Sequence, residues 1–226
     1  MWLGDRPLAR GLDIVCRPGG WTCLMGSSGV GKSTLGRLVA GLPVAARLEG
    51  RVTVPAGRVA VMSQQDQLLP WASALANVTI GARLRGERAD PERGRRLLAQ
   101  VGLAGFEDRR PGELSGGQRQ RVALARTLIE EAAVVVLDEP FSALDAGTRA
   151  AMQDLAAKLL AGRTVILISH DPLEAARLAD RAWLIGREGS RPLPLPGGTA
   201  PRPLDAPEVL AAQAALFMSL SRPCAV

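Results

Sequence analysis

Residues 21–39 read WTCLMGSSGVGKSTLGRLV, and this stretch decides the fold class of the chain. It opens with a mostly apolar run that is long enough for a buried strand, and a glycine-rich loop follows. After the loop, apolar residues recur with helical spacing, at Leu35, Leu38, Val39 and Leu42. The order strand, loop, helix predicts an α/β unit rather than an all-helical or all-strand domain.

The same alternation continues along the chain. Apolar runs predict strands over 134–137, 164–169 and 182–185, and helical patterns over 148–160 and 172–179 separate them. Residues 50–64 alternate as short strands around a turn at 55–57, and residues 70–131 have a mostly helical pattern. Within that pattern Asp90-Pro91-Glu92 supplies an N-cap, a first-turn proline and an acidic first turn, so a helix is expected from there to Val101. These patterns predict a mainly parallel sheet covered on both faces, with a helical insertion in the middle.

Three segments follow from this organisation. We expect a discontinuous core over 1–64 and 133–190, a helical insertion over 65–132 and a C-terminal tail over 191–226. In the tail, residues 191–207 are rich in proline and glycine, which predicts an extended surface segment. Residues 208–220 can form one short amphipathic helix.

Composition excludes several classes of protein. No apolar run approaches the roughly 20 residues that a membrane-spanning helix needs, and no secretory signal opens the sequence, so a cytoplasmic location is expected. Cys16, Cys23 and Cys224 lack the spacing of a zinc site and are expected to be small apolar side chains. The net charge of +6 rests almost wholly on arginine, without an aromatic-lined basic stripe, so no nucleic-acid partner is expected.

The glycine-rich loop matches a phosphate-binding loop in full. Its glycines let backbone N–H groups close around phosphate oxygens, and the following helix adds the partial positive charge of its N-terminus. In this interpretation Lys32 reaches the β and γ phosphates and the Ser33 hydroxyl ligates Mg²⁺. The alternative is a glycine turn with an isolated lysine, which the flanking strand and helix disfavour. The candidate loop residues are Gly26, Ser27, Ser28, Gly29, Val30, Gly31, Lys32, Ser33 and Thr34.

A second candidate lies where the predicted strand 134–137 ends. Asp138 and Glu139 follow it directly, at the end of a parallel sheet where ligands bind in open α/β folds. Asp138 is a candidate for the magnesium shell, and Glu139 for the general base that polarises the attacking water. Taken alone, the two carboxylates could equally be a solvated strand end.

A third candidate, the signature segment Leu114-Ser115-Gly116-Gly117-Gln118, is a second anion-binding helix start. Ser115 offers a hydroxyl, Gly116 and Gly117 expose backbone N–H groups, and the helix from Gln118 directs its dipole at them. One nucleotide cannot easily use two such cradles of one chain. Two chains arranged head to tail can, because each signature segment then closes the other chain's nucleotide.

With these segments the sequence resembles the ATP-binding subunits of ABC transporters, from about Leu8 to about Gly186. The resemblance also rests on the D-loop Ser142-Ala143-Leu144-Asp145 and on His170, the only histidine, after an apolar strand. It implies a P-loop NTPase core of the RecA-like type, with an antiparallel β subdomain and an inserted helical signature subdomain. It implies ATP and Mg²⁺ as ligands.

The resemblance also implies residue roles. His170 contacts the γ phosphate, Gln64 senses magnesium and attacking water, Asp145 belongs to the nucleotide interface, and Trp2 stacks on adenine. Ser63 stands where the family often has phenylalanine. For Trp2, simple packing is the alternative.

The segment Gln67-Leu68-Leu69-Pro70-Trp71 resembles the subfamily that imports nitrate, aliphatic sulfonates, taurine or thiamine-precursor pyrimidines. Trp71 is a candidate anchor for a membrane subunit, or else a core residue. The implied partners are a second ATPase subunit, membrane permease subunits and, indirectly, a periplasmic solute-binding protein, at the cytoplasmic face of the bacterial inner membrane.

Other functions remain to be compared. A soluble ABC ATPase of DNA repair would interrupt the core with coiled-coil heptads, which do not occur here, and a translation-type ABC protein would carry two such cassettes. A small-molecule kinase would leave the signature segment and His170 unexplained. An exporter subunit stays open beside the importer.

Overall fold

The structure is a computed structural model, which describes the backbone of residues 1–3 and 6–221 and the side chains of residues 1 and 7–221. The strands are β1 (Trp2–Leu3), β2 (Arg6–Pro7), β3 (Trp21–Met25), β4 (Ala46–Arg47), β5 (Val59–Met62), β6 (Val134–Asp138), β7 (Thr164–Ile168), β8 (Arg181–Gly186) and β9 (Gly189–Leu193). The helices are α1 (Lys32–Val39), α2 (Ala74–Leu84), α3 (Pro91–Gln100), α4 (Gly116–Leu128), α5 (Ala146–Leu159), α6 (Pro172–Leu178) and α7 (Pro207–Ser221), with a 3₁₀ turn at Pro111–Glu113.

The main sheet has the strand order β5-β6-β7-β3-β8-β9. The first five strands are parallel to their neighbours, and only β9 is antiparallel, to β8. A second, antiparallel sheet of two-residue strands has the order β2-β1-β4. The predicted α/β fold with a mainly parallel sheet is confirmed.

Helices cover both faces of this sheet, as the apolar runs of its strands require. Because successive side chains of a strand point to opposite faces, Cys23 and Leu24 belong to two different apolar clusters. The helix α1 packs very closely on the face that includes Leu24. A Cβ atom at Gly36 of α1 would lie 2.9 Å from methyl groups of both Val136 and Ile168. This glycine therefore lets the helix, and the loop before it, sit directly on the sheet.

The helical stretch between β5 and β6 forms as predicted, from α2, α3 and α4 packed on one another. The Asp90 carboxylate caps α3 by accepting a hydrogen bond from the Arg93 amide at 2.9 Å, and Pro91 is the first helical residue. Among the described residues, no helix combines the length and the hydropathy that a bilayer crossing needs.

The prediction of short strands over 50–64 is wrong for most of its length, since only Val59–Met62 is a strand. Residues 51–54 keep the alternation of exposed and half-buried side chains that suggested a strand. Alternation reports which side of a segment faces the core, whereas a strand also needs a hydrogen-bonded neighbour.

The prediction of a surface segment over 191–207 is also wrong in part. Its first residues complete β9, and Leu193 is buried. Arg202 is buried as well, with 5% of its surface exposed, and its guanidinium donates to the Ala176 and Ala179 carbonyls at 2.9 Å each. These carbonyls lie at the end of α6, where helical partners are lacking. Arg202 thus ties the tail to α6, and α7 forms one residue longer at each end than expected.

We predict that Arg202→Met lowers the free energy of unfolding by about 2–4 kcal/mol, because buried carbonyls at the end of α6 lose their donors. Urea unfolding monitored by circular dichroism measures this loss. The control is Arg191→Met, at an exposed arginine of the same tail, for which a change below about 0.5 kcal/mol is expected. Equal effects of the two substitutions would contradict a structural role for Arg202.

Candidate active site

The candidate site lies at one edge of the main sheet. In the parallel ladders Leu24 and Asp138 each pair with Ile168, and Met62 pairs with Leu137. The carboxyl ends of β3, β5, β6 and β7 therefore meet at one level. The segments that leave these ends carry the phosphate loop, Gln64, the two carboxylates and His170, so the fold brings together four groups that are far apart in the sequence.

The phosphate loop closes tightly against the sheet. Gly26 has φ +145°, and a Cβ atom there would lie 2.4 Å from the Ile185 carbonyl oxygen, so only glycine fits. The Lys32 ammonium is folded back over the loop and donates to the Gly26 carbonyl at 2.7 Å and the Ser27 carbonyl at 3.0 Å. Burial lowers the pKa of Lys32. Of the other loop residues, Ser27, Ser28, Gly29 and Ser33 are exposed, Gly31 and Thr34 are half-buried, and Val30 is buried.

Ser33 and Asp138 form a pair of hard oxygen donors. The Ser33 hydroxyl donates to Asp138 Oδ1 at 2.9 Å. Burial raises the pKa of Asp138, although the Ser33 hydrogen bond works against that rise. Among the described residues there is no group of three or more His, Cys, Asp or Glu side chains that could hold a metal. The pair nevertheless fits Mg²⁺, which needs only one or two protein oxygens when it also binds waters and substrate phosphates.

Glu139 is held in an unusual backbone conformation beside His170. Its φ of +50° lies in the left-handed region, which few residues other than glycine adopt. Its amide donates to the Ile168 carbonyl at 2.9 Å, and its own carbonyl accepts from the Ser142 hydroxyl at 3.0 Å. Glu139 Oε1 lies 2.7 Å from His170 Nδ1. Strained backbone of this kind clusters at active sites, which makes Glu139 a candidate functional residue.

The signature segment starts α4 with a complete capping box. The Ser115 hydroxyl accepts from the Gln118 amide at 3.3 Å, and the Gln118 side-chain oxygen accepts from the Ser115 amide at 2.8 Å. The helix starts at Gly116, two residues earlier than predicted. A Cβ atom at Gly117 would lie 3.4 Å from Leu144 Cδ2, which puts the signature segment next to the D-loop.

The remaining candidates sit around this arrangement. Asp145 caps α5 by accepting from the Thr148 amide at 3.0 Å, and this hydrogen bond lowers the pKa of Asp145. Gln64 is exposed, two residues beyond the end of β5. The side chain of Trp2 lies outside the described residues, as does Cys224.

Trp71 has 71% of its surface exposed, so its interpretation as a core residue is wrong. The loop before α2 is tied to the buried Asn77, whose amide lies within hydrogen-bonding distance of the Leu69, Ala72 and Ser73 carbonyls, at 3.1–3.2 Å. Cys23 is buried and Cys16 half-buried, and both are free thiols.

Comparison with known proteins identifies this arrangement. The model of the ABC transporter family matches residues 9–142. The chain belongs to the ABC transporter family. An ABC transporter ATP-binding protein of Haemophilus influenzae is 42% identical over 217 residues, which are 92% of this chain and 90% of that protein. The aliphatic sulfonates import ATP-binding protein SsuB 1 of Rhodococcus jostii is 47% identical, over 85% of this chain and 79% of its own length.

Two further comparisons agree. The SsuB 2 protein of Streptomyces avermitilis is 48% identical over 81% of this chain and 72% of its own length. The dimeric ATP-binding cassette MJ0796, solved in a post-hydrolysis state with ADP and Pi, superposes with a TM-score of 0.73 at 27% identity, over 84% of this chain and 92% of that one. The chain is therefore an ATP-binding, ATP-hydrolysing subunit of an ABC transporter, which confirms the family that the sequence predicted.

Ser169 and Glu174 of this ABC ATPase, to which the sequence analysis assigned no role, form hydrogen bonds next to His170. The Ser169 hydroxyl donates to Glu174 Oε2 at 2.6 Å and accepts from the Asp171 amide at 3.0 Å. The segment around His170 is thereby fixed on both sides. Burial raises the pKa of Glu174 to about 7. A carboxylate within the apolar helical pattern after 172 was the signal that could have revealed it.

We predict that protonated Glu174 stabilises the folded protein and that this contribution is lost as the pH rises from about 4.5 to 7. In that window the folded state keeps the Glu174 proton and the unfolded state has released it, so the free energy of unfolding decreases as pH rises. At about 1.4 kcal/mol for each pH unit, the decrease is about 3 kcal/mol.

Chemical denaturation at several pH values, compared with Glu174→Gln, measures this slope. The variant is expected to lose it, whereas the control Glu208→Gln, at an exposed position in α7, is expected to keep it. A slope that survives in Glu174→Gln would rule out this carboxyl as its source.

Proposed function

We propose that this chain is the motor subunit of a bacterial importer. Two copies arranged head to tail would bind two ATP molecules with Mg²⁺ between them and hydrolyse them, which drives solute uptake through separate permease subunits. The observation that carries this proposal is the division of phosphate-binding groups. Lys32, Asp138, Glu139 and His170 share one sheet edge, whereas Ser115 begins a helix in the separate helical stretch.

The groups at the sheet edge suit the two ends of an in-line phosphoryl transfer. Lys32 would exchange its loop carbonyls for the β and γ phosphates, and backbone amides of the loop would surround them. Mg²⁺ would be held by Ser33 and Asp138, with Gln64 near it. When bound, it neutralises charge that develops on the phosphates.

Glu139 and His170 divide the remaining work. The Glu139 carboxylate, aimed by its left-handed backbone, would polarise the attacking water. His170, hydrogen-bonded through Nδ1 to the Glu139 carboxylate, would place its other ring nitrogen near the γ phosphate, to which that nitrogen donates when both ring nitrogens carry a proton. The hydrogen bond between the two side chains fixes both orientations at once, which favours a reaction that needs precise alignment.

The second protomer would complete the site. Its Ser115 hydroxyl, the Gly116 and Gly117 amides and Gln118 form an N-terminal helix cradle for the γ phosphate. Asp145 and the D-loop lie beside that cradle, at the same interface. With two-fold symmetry both sites form together. ATP stabilises the closed pair because it contacts both halves, so closure requires nucleotide.

Transport requires a contact with membrane subunits, for which the Trp71 loop is the candidate. The exposed indole, in a loop that is hydrogen-bonded to Asn77, suits an anchor in a protein interface. The similarity to SsuB importers favours import of a solute delivered by a periplasmic binding protein. In this proposal the chain works at the cytoplasmic face of the inner membrane. The core of 1–64 and 133–190, the helical segment 65–132 and the tail 191–226 are its functional divisions.

We predict that Glu139→Gln accumulates an ATP-dependent dimer. The substitution removes the proposed base while it leaves the phosphate loop intact, so ATP is bound but turned over slowly. Light scattering of the variant in saturating Mg-ATP should give about twice the protomer mass. A monomer under these conditions, with ATP shown to be bound, would exclude the head-to-tail mechanism.

We predict that Trp71→Ala weakens capture of the permease subunits without changing the ATPase rate of the isolated chain. The expected loss of binding is about tenfold or more, as for an aromatic anchor in an interface. The matched control is Leu84→Ala. It truncates a second exposed apolar side chain, with 80% of its surface exposed, at the far end of α2. Co-purification from membranes that contain the permease measures the loss. Equal capture by wild type and Trp71→Ala would exclude this loop as the docking site.

A further inference from the structure

Arg119 of α4 joins two segments that belong to different proposed sites. Its Nε donates to Asp66 Oδ2 at 2.9 Å, and its Nη1 donates to the Leu114 carbonyl at 2.9 Å. Asp66 lies two residues beyond Gln64, and Leu114 directly precedes Ser115. One guanidinium therefore bridges two segments of the same protomer, the segment that follows Gln64 and the signature segment.

A second arginine makes this bridge stiff. Arg126, two turns further along α4, donates to the Gln67 carbonyl at 2.8 Å and also to the Asp66 carbonyl. Gln67 has φ +47°, so the chain turns sharply at this point, and Asp66 Oδ1 accepts from the Leu68 amide at 3.2 Å. The segment between β5 and Trp71 is thus attached to α4 by hydrogen bonds from two arginines, to the Asp66 side chain and to the Asp66 and Gln67 carbonyls.

We propose that the Asp66–Arg119 ion pair couples the two nucleotide sites of the dimer. This inference rests on the proposed function. In a head-to-tail pair, Gln64 of one protomer acts on the nucleotide of its own phosphate loop, whereas Ser115 of that protomer acts on the nucleotide of the partner. ATP at the first site positions Gln64, the ion pair transmits the shift to Leu114, and Ser115 is positioned for the second site. The second ATP then binds to a protomer that is already ordered.

The position of the pair favours coupling over structural stabilisation. The Arg119 and Asp66 side chains are 37% and 29% exposed, and ion pairs with that access to water contribute little to folding. Loss of the pair should leave the protomer folded. Asp66→Asn is the mildest test, because the amide keeps one acceptor oxygen for two donors, the Leu68 amide and Arg119 Nε.

The experiment measures ATP hydrolysis against ATP concentration for wild type and Asp66→Asn. The wild type is expected to show a Hill coefficient between 1 and about 2, the limit for two sites. Asp66→Asn is expected to lower it towards 1, while the ATP affinity of the isolated protomer, measured by fluorescence of a bound nucleotide analogue, changes less than about twofold. The double variant Asp66→Asn/Arg119→Gln should have the same Hill coefficient as Arg119→Gln alone, since the two side chains act as one unit.

The control is Arg93→Gln, which breaks a comparable ion pair, 2.6 Å from Glu131, in the same helical stretch but away from both segments. It is expected to keep the wild-type Hill coefficient. An unchanged coefficient in Asp66→Asn overturns the inference and leaves the proposed dimer standing. An equal drop in Arg93→Gln overturns it as well. A wild-type coefficient of 1, with no ATP-dependent dimer in Glu139→Gln, overturns the proposed function itself.

Discussion

The candidate site depends on the register of four parallel strands. Ile168 pairs with Leu24 on one side and with Asp138 on the other, so the strands before the phosphate loop, the carboxylates and His170 end at the same height. A slip of one residue in β6 would turn Asp138 and Glu139 to the opposite faces of the sheet. The Glu139 amide is donated to the Ile168 carbonyl, which continues the ladder one residue beyond β6 and fixes the point at which the chain turns away. The geometry of the candidate site is therefore set by the register of the sheet.

Local sequence patterns predicted those elements whose residues strongly favour one type of secondary structure. The run 134–137 is short, apolar and rich in valine, which favours an interior strand, and the structure buries all of Val134–Asp138. Asp90 with Pro91 predicts a helix start by its own chemistry. The pattern failed at 50–58, where alternation indicated an inward side but no strand formed. The sequence pattern failed again at Arg202. A composition rich in proline and glycine predicts a segment without regular structure, but it does not predict that one of its side chains reaches the end of a distant helix.

The same distinction applies to the site. Spacing within the chain was sufficient to nominate the phosphate loop, whereas the carboxylates stayed ambiguous and His170 was implied only by the resemblance to ABC ATPases. The contacts between them depend on the folded chain. The 2.7 Å contact of Glu139 with His170 joins residues 31 apart, and the ion pair of Arg119 with Asp66 joins residues 53 apart. A local sequence pattern predicts neither of these two pairings. It also does not predict the left-handed backbone conformation of Glu139.

Several candidate phosphate-binding groups of this ATPase are hydrogen-bonded within the protomer, which bears on why the proposed site takes groups from two protomers. Lys32 is bonded to carbonyls of its own loop, Ser33 to Asp138, and Ser115 to the capping box of α4. A phosphate that binds Lys32 must replace the hydrogen bonds that Lys32 makes to its own loop. The new contact therefore contributes only the difference in free energy between the two sets of hydrogen bonds. The first amides of α1 differ from Lys32, because no side chain caps them and they can bind a phosphate without giving up a side-chain hydrogen bond. The helix start at Ser115 offers a second such site, because the Gly116 and Gly117 amides and the helix dipole attract an anion while the capping box stays intact. Since that helix belongs to the other protomer in the proposed arrangement, the full set of contacts with ATP is available only to the pair.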